Sequence, residues 1–281
     1  MTKTPDMKLV DQIAEDSNTN IDEATQQQQK AIEDEIAVQQ PLVAEKTPIS
    51  GVENEYIATG NTIFQAKARD LATRYKFIRR IRGDGNCFYR ALAFAQCERL
   101  LGDQIVRKKF MNEVQSWKNR LLKLGFPEMT TEDFCDTFFD TVSKFQTEED
   151  VTNVFCNQAE SNYLVVFMRL VTSGYLQENA ESYADFVEGD MTLKQYCALE
   201  IEPMDKECDH LCIVALTKAM GKLRGQLYFA VRHLMSGCYT SRRTGMLRAS
   251  NAVRFIALIK EQLNHNTVLR VTLISSHIMF V

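Results

Sequence analysis

The chain lacks any apolar run approaching the roughly 18–20 residues that a membrane-spanning helix needs. The nearest candidate, Tyr163 to Met168, is stopped by Arg169. An export signature is also missing: Met1 to Ser17 mixes charges and contains no apolar stretch, which predicts no secretory leader. Eight cysteines in 281 residues are too few for a disulfide scaffold, and without export they are expected to be reduced thiols. Histidine is scarcer still, with four. No internal repeat is visible. What remains is ordinary for a globular protein, 45% apolar and 25% charged, long enough for one large domain or two small ones. The expectation is an intracellular protein, cytoplasmic or nuclear.

One further shortage is local. From Lys222 to Val281 there is a single acid, Glu261, against nine Lys and Arg, a net of +8; with the whole chain at −4, the first 221 residues carry −12. Such asymmetry suggests either a tail that meets nucleic acid or an acidic surface, or a segment of different coding history, such as an alternative exon or shifted frame. Arg242, Arg243, Arg248 and Arg254 could touch phosphates, but no nucleic-acid module accompanies them. Neither nucleic acid nor membrane is expected as a partner.

Residues 1–19 are polar, acidic and without apolar period, and read as disordered. Asn20 with Glu23 resembles a capping box, and Ile21, Ala24, Gln28, Ile32 and Ile36 keep helical spacing until Pro41 ends the helix. A second helix is expected near Asn61 to Tyr75, then a strand-like piece, Phe77 to Arg82, closed by Gly83-Asp84-Gly85. Asn86 and Cys87 open the next helix. Asp103 is the expected cap of a long amphipathic helix that Gly125 stops, and Thr130 with Asp133 the cap of another. The aromatic row Phe134, Phe138, Phe145 reads as core. Residues 160–176 are apolar almost all round and should be central. Asp209 caps Leu211 to Met220, with Gly221 as terminator. Beyond it the pattern weakens, with strand-like pieces at 227–231 and 268–274 and a helical one at 253–263.

The sharpest local feature is Asp84-Gly85-Asn86-Cys87-Phe88-Tyr89-Arg90. A thiol in the first turn of a helix feels partial positive charge and unpaired N–H groups, which favours the thiolate. The Gly-rich turn before it lets backbone N–H groups approach a reacting carbonyl, as an oxyanion hole requires. Asp84 could fix that turn by accepting backbone N–H bonds. A buried structural cysteine is the competing reading of the same residues.

This segment resembles the nucleophile motif of the ovarian tumour (OTU) cysteine proteases, and further blocks narrow the resemblance to the otubain type. These are Glu35-Ile36-Ala37-Val38-Gln39-Gln40-Pro41-Leu42-Val43, Tyr163-Leu164-Val165-Val166 through Ser173-Gly174-Tyr175-Leu176, and Glu202-Pro203-Met204 followed by Asp209-His210. The resemblance spans about residues 21–221. It implies a papain-like α+β fold, helix-rich, with a small β-sheet between helical layers, and cleavage of isopeptide bonds in ubiquitin conjugates without cofactor or metal. Cys87 falls on the family nucleophile and Asp84 on the aspartate supporting the oxyanion site. Residues 21–43 fall on an arm that contacts ubiquitin and, in some members, a ubiquitin-conjugating enzyme. The implied organisation is a disordered 1–19, an otubain-like domain over 20–221, and a divergent basic segment, 222–281, in place of the family's closing strands. A monomer is expected.

Those closing strands should supply a base and its orienting group, because a thiol protease needs one residue to draw the thiol proton and another to hold that residue. His210 precedes the expected strand. His233 and His265 are followed two positions on by Met235 and Thr267, not by an acid or amide. His277, in an alternating Ser275 to Val281, is the candidate base, although Met279 stands where Asp or Asn should be. The alternatives are therefore a deubiquitinating enzyme and a catalytically dead protein of the same ancestry that binds ubiquitin or a conjugating enzyme. Cys208-x-His210-x-Cys212 groups three metal-capable side chains but lacks a fourth, so no metal is expected.

Overall fold

The computed structural model describes residues 37–58, 60, 62–73, 76–187, 191–220 and 278–280, together with positions 28, 31 and 35. Residues up to Pro41 form one unit and Leu42 to Val281 a second. In the first, Ala37 to Gln39 are helical, Gln39 donates to the Glu35 carboxylate at 3.1 Å, and the helix has ended before Pro41. The expected disordered 1–19, the Asn20 cap, and all the elements proposed over 221–277 lie outside the described residues.

The second unit is built on helices. Ser50–Ala58 (α1) and Thr62–Ala72 (α2) precede the strand Phe77–Arg80. Cys87–Leu100 (α3), Gln104–Lys123 (α4), Glu128–Lys144 (α5), Glu148–Cys156 (α6) and Gln158–Glu178 (α7) follow. After the short Ala180–Tyr183 (α8) and Leu193–Tyr196 (α9), the latter continued by a π turn, Cys197–Ile201, comes His210–Ala219 (α10). The caps explain the starts. Asp103 Oδ1 accepts from the N–H groups of Ile105 and Val106, and Asp209 Oδ1 from Cys212. Gly125, at φ +86, closes α4 in the left-handed conformation that glycine adopts freely. One expected cap is corrected. Thr130 lies inside the first turn of α5, its hydroxyl donating back to the Pro127 carbonyl, and the helix starts at Glu128 behind that proline.

The central element is α7, which packs against α3, α4, α5, α6 and α10. Its sequence is apolar almost all round because nearly all of its surface is covered: Leu164, Val165, Phe167, Val171 and Leu176 are all fully buried. Phe138 of α5 stacks on Phe167, ring centroids 4.0 Å apart. Phe145 is buried with it, whereas Phe134 is half-buried against the partly exposed Tyr163, so the aromatic row is core at two of its three positions. Where α7 crosses α4 the backbones come close. A Cβ on Gly174 would stand 2.6 Å from Leu121 Cδ2 and 3.4 Å from the Trp117 ring.

The sheet is small and antiparallel, in the order β1 (Thr47–Pro48), β2 (Phe77–Arg80), β3 (Ile278–Phe280). Thr47 pairs with Ile78 on one side of β2, and Ile278 with Arg80 on the other. From Arg80 the chain runs through Ile81, bridged to Val43, into the glycine turn and α3. The sheet thus delivers the turn to the helix that carries Cys87. The architecture is α+β and helix-rich.

Candidate active site

Cys87 is the first residue of α3 and is half-buried, open on one side and packed against the core on the other. Two side chains, Asp84 and the buried Arg90, fix the turn that precedes it. The Asp84 carboxylate accepts the Asn86 backbone N–H at 3.0 Å. Both of its oxygens also receive the Arg90 guanidinium, at 2.9 and 2.6 Å. Arg90 has no solvent exposure and uses its other nitrogens on α7, Nε donating to Ser161 Oγ at 2.9 Å and Nη2 to Asn162 Oδ1 at 3.1 Å. A planar fork of donors suits this arrangement, because one cation satisfies three partners in fixed directions.

Asn86, although it stands at the N-cap position of α3, makes no capping bond. Its side chain turns instead to the segment before α10. The carboxamide oxygen accepts from Arg169 Nη2 at 2.7 Å and from the Asp205 N–H at 3.0 Å, and its nitrogen donates to Asp205 Oδ1 at 2.7 Å. Arg169, also without exposure, further donates to the carbonyls of Gly85, Ile201 and Lys206. Motif spacing does not single out Arg90, Arg169 or Asp205. The readable signal is Arg169 itself, a lone cation in a helix otherwise apolar almost all round, which must find buried partners.

The expectation that the helix mouth favours a thiolate is corrected. The Cys87 thiol is pushed up to about 11, chiefly because burial disfavours the charged sulfur and secondly because Asp84 is negative; the Phe88 N–H and the Arg90 charge oppose this, and Glu207 adds to it. One amide and one already paired cation do not offset that desolvation. Of the four histidines only His210 occupies a described position, opening α10, while His233, His265 and the candidate base His277 lie outside the described residues. Ile278, the residue after His277, stands opposite Arg80, at the end of β2 from which the chain enters the Asp84 turn. Among the described residues no group of three His, Cys, Asp or Glu side chains is disposed to hold a metal.

With this geometry in place, comparison with known proteins decides the family. The family model described as Peptidase C65 otubain matches residues 35–267. The chain belongs to the otubain family. The match runs on past residue 221, where the resemblance read from the sequence stops, and ends before His277. Ubiquitin thioesterase OTUB1 of Homo sapiens is 44% identical over 202 residues, covering 71% of this chain and 74% of that protein. Ubiquitin thioesterase OTUB2 of Homo sapiens is 36% identical over 182 residues, 64% of this chain and 77% of that one. Among solved structures, the h/ceOTUB1–ubiquitin aldehyde–UBC13~Ub complex is similar with a TM-score of 0.69 and 45% identity, covering 71% of this chain and 80% of the other. As an otubain, the chain is a cysteine-type peptidase by descent, and no other described cysteine follows such a turn at a helix start.

Proposed function

We propose that this otubain is a deubiquitinating thiol hydrolase that cleaves isopeptide bonds at the ubiquitin C-terminus, with Cys87 as its nucleophile. The observation carrying this reading is the half-open Cys87 at the start of α3, behind a turn pinned by Asp84 and Arg90. In the reaction the sulfur adds to the isopeptide carbonyl carbon, and the Gly85 and Cys87 backbone N–H groups stabilise the oxygen as it becomes an oxyanion, the Asn86 N–H being held by Asp84. The base takes the thiol proton and returns it to the departing lysine amine, leaving a thioester. Water then adds to that thioester, releasing the carboxylate and restoring the thiol. Asp84 serves by holding the turn, not by exchanging a proton.

His277 is the proposed base. Its support is the strand register, in which the next residue faces the end of β2 nearest the turn. Ubiquitin and ubiquitin-conjugating enzymes are the proposed partners, since the similar OTUB1 structures contain ubiquitin aldehyde with UBC13 or UBCH5B; residues 21–43 are the proposed contact arm. A second reading, a binding protein without turnover, is favoured by one observation, the thiol raised to about 11. Diubiquitin hydrolysis by wild type, Cys87→Ala and His277→Ala separates the two. Turnover abolished by both substitutions supports the enzyme. Capture of ubiquitin by wild type and Cys87→Ala alike, with cleavage by neither, supports the binder and ends the enzyme reading.

A further inference from the structure

Asp205, in the segment before α10, packs directly on the nucleophile turn, and the contact is unusual in its backbone. Asp205 has φ +64, the one positive value at a non-glycine position among the described residues, and it faces Gly85, at φ +72. The approach is so close that a Cβ on Gly85 would stand 2.2 Å from the Asp205 carbonyl oxygen. A left-handed aspartate is tolerated but costs free energy, and such residues persist where surrounding contacts over-determine them.

Here the contacts do so. Asp205 reads the Asn86 carboxamide twice, giving its N–H to Oδ1 and taking Nδ2–H on its carboxylate. Arg169 then ties the segment to the turn, binding the carbonyls of Ile201 and Lys206 on one side and Gly85 and Asn86 Oδ1 on the other. The peptide plane between Gly85 and Asn86 is consequently held at both ends, its carbonyl by Arg169 and its N–H by Asp84. Asp205 itself is exposed and packs into no core. Its carboxylate makes one side-chain hydrogen bond, the grip on Asn86, and lies within the field of the Arg169 cation.

We infer that Asp205 is a positioning residue for the oxyanion site: by clamping Asn86 it sets the direction in which the amides flanking the nucleophile point. This rests on the reading of Cys87 as a nucleophile and adds the residue that orients its surroundings. A misdirected amide still lets substrate bind but stabilises the developing oxyanion less, so the loss falls on kcat and not on KM.

The test uses the full chain and three substitutions. Asp205→Gly keeps the left-handed backbone and loses the carboxylate, Asp205→Asn keeps an acceptor and tolerates the conformation, and Asp205→Ala loses both. Kinetics on diubiquitin are read beside amide hydrogen exchange over residues 83–88. We expect Asp205→Gly to lower kcat about tenfold with KM within about twofold, Asp205→Asn to recover to within about threefold, and Asp205→Ala to fall at least as far as Asp205→Gly. Exchange over 83–88 should quicken in the Gly and Ala variants alone. Wild-type kcat and exchange in Asp205→Gly, or an Asp205→Asn as impaired as Asp205→Gly, would overturn the assignment. Should wild type itself fail to cleave, the nucleophile reading falls, and unaltered exchange in Asp205→Gly would then dismiss the clamp separately.

Discussion

Replacing Arg90 by lysine keeps the charge and discards the fork, which isolates what the guanidinium geometry contributes. The native side chain is fully buried and makes bonds of 2.9 Å to Ser161, 2.9 and 2.6 Å to Asp84, and 3.1 Å to Asn162. A lysine ammonium is a single point of charge and can hold Asp84 while abandoning Ser161 and Asn162. Each buried partner left unsatisfied costs about 1–3 kcal/mol, so Arg90→Lys should lose roughly 2–4 kcal/mol. Arg90→Met removes the cation, and breaking a buried pair costs about 3–5 kcal/mol; the Asp84 side chain keeps 20% exposure, which places the loss toward the lower end. Urea unfolding followed by the emission of Trp117, the single tryptophan of the chain and itself buried, measures both. A double-mutant cycle with Asp84→Asn isolates the pair. An Arg90→Lys protein within about 0.5 kcal/mol of wild type, or a cycle with coupling that small, would refute the claim that this ion pair pins the turn.

Two other substitutions probe the frame around the site. Glu98 shares the buried Arg79 with Glu148, and burial pushes its carboxyl up to about 7. A raised acid stabilises the fold below its unfolded value and loses that contribution as pH climbs toward 7, so Glu98→Gln should gain about 1–3 kcal/mol over wild type at pH 8 and almost nothing at pH 5; equal gains at both would dismiss burial as the force that raises this carboxyl. Gly174→Ala should destabilise by about 1–3 kcal/mol in thermal or urea unfolding, because the new methyl meets Leu121 and Trp117 in a close helix crossing; an unchanged midpoint would show that α4 yields freely.

What could be read in the sequence was whatever local chemistry decides. Asp103 and Asp209 are caps because a carboxylate beside orphan amides needs no tertiary partner, and α7 is central because a helix apolar almost all round has nowhere else to be. Thr130 misleads for a related reason. A threonine three residues before an acid looks like a cap, but Pro127, three positions before it, already occupies the N-cap position, the helix starts at Glu128, and the hydroxyl is spent inside the turn. The site divides along the same line. Cys87 and Asp84 are visible in one heptapeptide, whereas Arg169 and Asp205 join it from 82 and 118 positions away along the numbering, through bonds that no local pattern encodes. Asn86 shows the competition within a single residue, since its position is that of a cap and its side chain is taken by Asp205 and Arg169.

The same division bears on how the thiol becomes reactive. With its surroundings holding it near 11, Cys87 is thiolate in only about one molecule in 10⁴ at pH 7. The helix mouth therefore does not activate it unaided. An imidazolium about 4 Å from the sulfur contributes about 4 kcal/mol at the effective dielectric of a partly buried pair, roughly a thousandfold in thiolate population. The rate of Cys87 alkylation by iodoacetamide, read on its own peptide by mass spectrometry, makes this visible. In His277→Ala the rate should climb tenfold per pH unit from 7 to about 10, while wild type at pH 7 should lie far above that line, by up to about a thousandfold. Coincident curves would remove His277 from the site and leave the binding reading in force. A neutral-pH plateau in His277→Ala would instead refute the account of burial, because it would mean that the turn and its two arginines suffice to hold the sulfur charged.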